Sequence, residues 1–301
     1  MSAKPFTMLA ALALAGCIAG LPEPVSFATP APFSALQEQC EGKDGWSDPA
    51  PPVRIYGNVY DVGTCGIVVL LITSPDGHVL IDGATAEAAP AIAANIERLG
   101  FALGDVRFIA ASHEHLDHVG GLADLQRLTG AEVVARAPAK RVLESGVVAP
   151  QDPQAGLHPP FTALRVERVI GDGEQVRLGS LVLTAHATPG HSPGSTSWSW
   201  RSCADAVCLM IVYADSISAV SSDAYRFLDH PDYVAPFRAS LDKIAALDCD
   251  LLITPHPGAS NLYARLAGKA PLIDRSACRN YAQKARQNLD RRLATEAADR
   301  R

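Results

Sequence analysis

The segment that most constrains this chain is Ala111-Ser112-His113-Glu114-His115-Leu116-Asp117-His118-Val119-Gly120-Gly121. It sets three imidazoles and two carboxylates within six residues, directly after an apolar run, Val106 to Ala111, that reads as a buried strand. In an extended segment side chains two apart point the same way, so His113 and His115 converge on one ion while Glu114 faces away. Asp117 and His118 follow where Gly-rich backbone bends toward a helix expected over Leu122 to Leu128, and there they can point at a second ion. Neutral imidazole and carboxylate suit a borderline-soft cation such as zinc. The His-Glu-x-x-His helix of a metalloprotease is excluded, because the residue four after His113 is Asp117.

Two further histidines occupy matching contexts downstream. Leu181-Val182-Leu183-Thr184-Ala185 alternates like a strand and runs into Thr188-Pro189-Gly190-His191-Ser192-Pro193-Gly194. Leu251-Leu252-Ile253-Thr254-Pro255-His256-Pro257-Gly258 repeats the pattern. Each histidine lies just past a strand end, where open α/β architectures gather their ligands. With the first cluster they make six candidate ligands, enough for two ions and a shared water.

The chain resembles the metallo-β-lactamases of subclass B3, and in particular the Adelaide imipenemase type of carbapenemase. The resemblance is carried by His113-x-His115-x-Asp117-His118, Gly190-His191 and Pro255-His256-Pro257. Gly63-Thr64-Cys65-Gly66-Ile67, Tyr213-Ala214-Asp215-Ser216 and Trp198-Ser199-Trp200-Arg201-Ser202-Cys203 narrow it from the superfamily to the subclass. It implies that His113, His115 and His191 bind a first zinc and that Asp117, His118 and His256 bind a second. It implies a histidine in the second site where other subclasses use cysteine; here the strand end reads Asp215-Ser216. Ser216 and Ser218 match serines that hold the substrate carboxylate, and Gln154 falls in a loop that flanks the pocket in relatives. The implied reaction is hydrolysis of the lactam amide of penicillins, cephalosporins and carbapenems, conferring antibiotic resistance. The nucleophile would be a hydroxide shared by zincs about 3.5–4 Å apart, oriented by the catalytic residue Asp117, with no acyl-enzyme.

The N-terminus reads as an export signal over residues 1–16. Lys4 supplies the positive end, Met8 to Ala15 the apolar core, and Leu14-Ala15-Gly16-Cys17 resembles a lipobox with Cys17 as the lipidated residue. Cleavage further on, near Ala28 to Ala31, is the competing reading. Setting Cys17 aside leaves Cys40, Cys65, Cys203, Cys208, Cys249 and Cys278, an even number that suits disulfides in an oxidising periplasm. The resemblance implies the pairs Cys40 with Cys65, Cys203 with Cys208 and Cys249 with Cys278. No Cys-x-x-Cys pair argues for a structural zinc ribbon.

A Pro-rich segment at 17–39 then precedes a metallo-β-lactamase domain at 40–301. At 301 residues and 48% hydrophobic content the chain can bury one large core. Its net charge of −6, with no basic patch interleaved with aromatics, argues against nucleic acid as a partner. Strands are expected at Val53 to Tyr60, Gly66 to Thr73 and Gly77 to Asp82, with a hairpin turn at Ser74-Pro75-Asp76-Gly77. Helices are expected at Ala88 to Leu99 and Tyr233 to Leu247, a strand at Ala131 to Ala135, and a second half from near Val166. This alternation fits an α/β fold, an αββα sandwich with the metals at the edge where its halves meet. Trp198 and Trp200 are expected to pack in the core, and Glu114, His78, His158, His186 and His230 to serve structure. The basic residues Arg279, Lys284, Arg286, Arg291 and Arg292 read as a solvated helix face. By resemblance the protein is a monomer.

Two other functions compete. One is a different hydrolase of the same superfamily, a lactonase or glyoxalase-type thioesterase, in which an aspartate near position 215 would bridge both metals. The other is a non-catalytic zinc-binding lipoprotein, which would need closed coordination.

Overall fold

The structure, a computed structural model, describes residues 32–299; the expected signal segment and Cys17 lie outside them. Helix α1 (Phe33–Cys40) precedes strands β1 (Val53–Tyr56), β2 (Val59–Asp61), β3 (Leu70–Ser74) and β4 (Gly77–Ile81). Next come α2 (Ala89–Arg98), β5 (Val106–Ala110), the single turn α3 (Leu116–Val119), α4 (Leu122–Thr129), β6 (Glu132–Ala135), α5 (Ala137–Ser145) and β7 (Arg168–Val169). These seven strands form one sheet in chain order. A second sheet, ordered β12-β11-β10-β9-β8, is built from β8 (Gln175–Leu178), β9 (Leu181–Ala187), β10 (Thr196–Ala204), β11 (Val207–Tyr213) and β12 (Leu251–Ile253). Helix α6 (Pro231–Ala246) connects β11 to β12, and α7 (Leu262–Leu266) and α8 (Ala277–Ala298) follow. Among the described residues no helix is long and apolar enough to cross a membrane.

Both faces of each sheet are covered, which is why its strands read as near-continuous apolar runs. Leu70, Ile72, Val79 and Ile81 meet Leu183, Trp198, Trp200, Ile211 and Tyr213 between the sheets. Their alternate neighbours Leu71 and Leu80 face Ile92, Ile96, Leu122 and Leu125 of α2 and α4. On the far side, Val212 and Leu252 pack with Phe237 and Leu241 of α6 and Leu289 of α8. The layers are therefore αββα, and Trp198 and Trp200 lie in the inter-sheet core.

Several local expectations change. The strand expected over Val53 to Tyr60 is a hairpin: Gly57 turns at φ +52°, and a Cβ there would lie 2.5 Å from Ser202 Oγ. The strand expected from Gly66 begins only at Leu70, because Val69 donates to the Asp61 carboxylate and Val68 to the Pro255 carbonyl rather than to a neighbouring strand. Phe33–Cys40, inside the stretch read as Pro-rich, is helix α1, anchored by Leu36 against Ala50 and Val53. The second sheet starts at Gln175 rather than near Val166, since β7 still pairs with β6. Disulfides join Cys40 to Cys65, Cys203 to Cys208 and Cys249 to Cys278.

Asp61 is buried, and desolvation pushes its carboxyl up to about 7 against the opposing pull of the Gly63 and Val69 amides. A carboxyl raised on folding binds more protons folded than unfolded, so stability falls as pH rises from about 4 to about 7 and is flat above. Asp61→Asn keeps the acceptor oxygen without the charge. Its stability relative to wild type should rise between pH 5 and pH 8.5 by on the order of 2–3 kcal/mol in urea unfolding, at roughly 1.4 kcal/mol per pK unit. An equal difference at both pH values would contradict this assignment.

Candidate metal centre

β5 ends in the middle of the seven-stranded sheet, and its extension Ser112 to His115 crosses the sheet end toward the five-stranded sheet, where Thr196 donates to the Ser112 carbonyl. The alternation expected of an extended segment holds. His113 and His115 face one centre with His191, from the turn between β9 and β10, all three buried and with ligand atoms within 4.8 Å of one another. Glu114 points away, accepting from Ser192 Oγ at 2.8 Å and from the Gly194 amide at 2.7 Å. A Cβ on Gly194 would lie 2.3 Å from Glu114 Oε2, so this approach requires glycine. Glu114 thus ties the motif loop to the His191 turn.

The remaining ligand candidates meet beside this centre. His118 Nε2 lies 3.2 Å from Asp117 Oδ2, His256 Nε2 lies 3.4 Å from the same oxygen, and the two imidazole nitrogens are 3.3 Å apart. A tetrahedral ion with bonds of 2.0–2.1 Å separates its ligand atoms by about 3.3 Å, so these three atoms outline one face of such a site. His113 Nε2 is buried without a hydrogen-bond partner, the condition of a lone pair reserved for a cation. The residues present therefore fit a divalent metal, and His113 also groups with Asp117 and His118.

The other nitrogen of each inner histidine is held from behind. His113 Nδ1 is 2.7 Å from Asp215 Oδ1, His115 Nε2 is 3.1 Å from Asp152 Oδ2, and His191 Nδ1 donates to the Ser218 carbonyl at 3.0 Å. Such partners fix ring orientation and leave the opposite nitrogen for metal. Asp82 lies 3.4 Å from His118 Nδ1 and accepts from the Ser112 amide, the Ser112 hydroxyl and the Tyr213 hydroxyl at 2.6–2.9 Å. It does so from φ +66°, a conformation that non-glycine residues hold only where their surroundings enforce it.

The electrostatics divide the donor set, lowering His113 and His191 and raising His115 and His118. Burial, then the neighbouring imidazoles His118, His115 and His191, keep His113 well below its ordinary pKa. Burial, then His115, lower His191 to about 3. Both imidazoles are therefore neutral at neutral pH, the form that can bind a metal. Burial opposes charge on His118, yet Asp117 and Asp82 outweigh it and raise it to about 10. Burial also works against the Asp117 carboxylate, but His118, His256 and His113 hold it far below the usual range. A pocket that draws a proton this strongly is one that stabilises a cation.

Asp215 does not stand between the two ligand groups: its Oδ1 supports His113 from the Nδ1 side, and burial raises its carboxyl to about 7. The next residue, Ser216, lines a cleft of about 200 Å³ with Ser218 and His256. The Ser218 hydroxyl also lies 3.1 Å from His191 Nδ1. Gln154 stands over the first group, its Nε2 3.2 Å from His191 Nε2 and 3.4 Å from His115 Nδ1. Asp152 sets this loop by accepting from the Gln154 amide at 2.7 Å. Asp82 and Asp152 were not singled out from sequence; the turn Asp152-Pro153-Gln154 was a usable signal for the second. His158 lies 6.4 Å from His115, ring to ring, and packs edge-on against Trp46, so it stands near the centre rather than apart from it. His78, His186 and His230 serve packing and local hydrogen bonds against Phe101, Ser199 and Tyr225.

Residues 62–256 match the family described as the metallo-beta-lactamase superfamily. The chain is 54% identical to the crystal structure of the metallo-β-lactamase MIM-1 from Novosphingobium pentaromativorans, with TM-score 0.86, covering 88% of this chain and 99% of that one. The chain belongs to the subclass B3 metallo-β-lactamases. MEM-A1, a subclass B3 metallo-β-lactamase from a soil metagenome, is 45% identical with TM-score 0.82 over 85% of this chain and all of its own. A hydroxyacylglutathione hydrolase of Rhodopseudomonas palustris is 36% identical over 115 residues, which is 36% of this chain and 36% of that protein. The B3 likeness thus spans nearly the whole described structure, whereas the likeness to this hydrolase spans about a third of either chain.

Proposed function

We propose that this metallo-β-lactamase hydrolyses the lactam amide of penicillins, cephalosporins and carbapenems with two zinc ions per chain, and so protects the cell that makes it from these antibiotics. The observation that carries this reading is the strand end after β11. Asp215 supports His113 from behind instead of reaching between the two ligand groups, and Ser216 faces the cleft beside His256. The thioesterase and lactonase reading needs an aspartate bridging both ions near position 215, and the partial likeness to hydroxyacylglutathione hydrolase is its remaining support.

His113, His115 and His191 would hold one ion, and Asp117, His118 and His256 the other. When bound, such ions polarise a carbonyl and bring the pKa of water toward ~7, which supplies a nucleophile without a serine or cysteine. Asp117, held ionised by its histidine neighbours, orients the attacking water. Ser216 and Ser218 offer hydroxyls to the substrate carboxylate, while the Gln154 amide faces the substrate from the opposite loop. Asp152, Asp215 and Asp82 keep the imidazoles oriented. No acyl-enzyme is expected in this scheme, because the attacking group is water.

Export to the periplasm, with Cys17 as a lipid anchor, and action as a monomer belong to the same reading. Three disulfides support the oxidising compartment. A panel of a carbapenem, a penicillin, a lactone and a glutathione thioester tests the substrate class. The lactams should be turned over at least about 100-fold more efficiently in kcat/KM than the thioester, about 2.7 kcal/mol of preference. The reverse ranking would transfer the function to the thioesterase reading.

A further inference from the structure

The cleft beside His256 has one wall that the two serines do not explain. Tyr281, Lys284, Ala285 and Asn288 line it, and their spacing is that of a single face of α8. This face is fixed in place: Cys249–Cys278 staples the first turn of α8 to the chain entering β12, and the Tyr281 hydroxyl donates to the Asp215 carbonyl at 3.2 Å. The basic residues of α8 do not form a uniform solvated face. Arg286 holds Asp242 and Arg292 holds Glu296, whereas no carboxylate among the described residues pairs with Lys284. No carboxylate lines the cleft either, and the chain as a whole carries a net charge of −6. An isolated ammonium over a cleft floored by serine hydroxyls is an arrangement for an anion.

We propose that Lys284 is a specificity-determining residue, whose ammonium attracts and holds the carboxylate of the substrate while Ser216 and Ser218 supply neutral hydrogen bonds to it. The inference rests on the lactamase reading above. Lys284 is exposed, so solvent screens its charge and the effect falls on binding rather than on the bond-breaking step.

The test is steady-state hydrolysis of a penicillin and of its methyl ester by zinc-loaded wild type, Lys284→Ala and Lys284→Arg, at low and high salt. Lys284→Ala should raise KM for the free acid about 5–10-fold at low salt and leave kcat within about twofold, the size expected of a partly screened charge contact. The methyl ester should show no difference between wild type and Lys284→Ala, Lys284→Arg should stay near wild type, and high salt should erase most of the difference for the acid. If wild type turns over penicillin but the alanine variant matches it, or loses acid and ester alike, the role of Lys284 is overturned and the lactamase reading stands. No lactam turnover by wild type would instead overturn that reading, and this inference with it.

Discussion

Asp117→Ala is expected to lower kcat/KM for a carbapenem by at least roughly 10³-fold, about 4 kcal/mol of barrier, without unfolding the protein. Asp117 Oδ2 lies 3.2 Å from His118 Nε2 and 3.4 Å from His256 Nε2, so its removal takes away one candidate ligand and the only carboxylate of that group. It also leaves His118 and His256 facing each other at 3.3 Å without the charge that makes their pocket attractive to a cation. The protein should then bind one metal ion tightly and the other weakly. Asp117→Asn keeps an oxygen ligand and loses the charge, and it should fall between the two. A drop of less than tenfold for the alanine variant, with unchanged metal content, would remove Asp117 from the chemistry.

The second large effect concerns a residue with no motif of its own. Asp82→Ala strips the Ser112 amide, the Ser112 hydroxyl and the Tyr213 hydroxyl of a shared acceptor in a buried network, and takes the nearby carboxylate from His118. Leaving such buried groups unpaired should cost about 3–5 kcal/mol of stability, or roughly 10 °C in melting temperature for a chain of this size. Affinity for the metal at the His118 group should fall about 10–100-fold, as expected when the partner behind a ligand is lost. Calorimetry and metal titration check the two parts separately. Weakened metal binding without a loss of stability would mean that the Asp82 network orients His118 but does not hold the sheet ends together.

The legible part of the centre was the part with local spacing. His113, His115, Asp117 and His118 announce themselves because strand alternation and a Gly-rich bend fix their directions within a few residues. His191 and His256 were readable because each follows an apolar strand into a Pro/Gly turn. The residues that orient them were hard to read for the same reason in reverse. Asp82 meets Ser112 from 30 residues away, Asp152 meets His115 from 37 away, and Asp215 meets His113 from 102 away. A lone carboxylate carries no periodicity, and only the fold brings it to its partner.

The local departures from the sequence pattern have a comparable cause. Ile67, Val68 and Val69 are fully buried, so their apolar run looks like a strand, yet their amides are taken by Thr64, Pro255 and Asp61 rather than by a ladder. Helix α1 was hidden because its residues sit beside a Pro-rich stretch and are held by Ala50, Val53 and Cys65, contacts no local pattern reveals. Lys284 shows the same limit on a surface. Its charge pattern along α8 matches a solvated helix, and only the approach of the strand end that carries Ser216 gives that face a neighbour.

The most direct test of the central claim is the metal content of purified protein measured together with its hydrolysis of a carbapenem, before and after chelation and on readdition of zinc. Close to two zinc ions per chain, loss of activity on chelation, and recovery that tracks the return of both ions are expected. Carbapenem hydrolysis that survives complete removal of metal would contradict that claim.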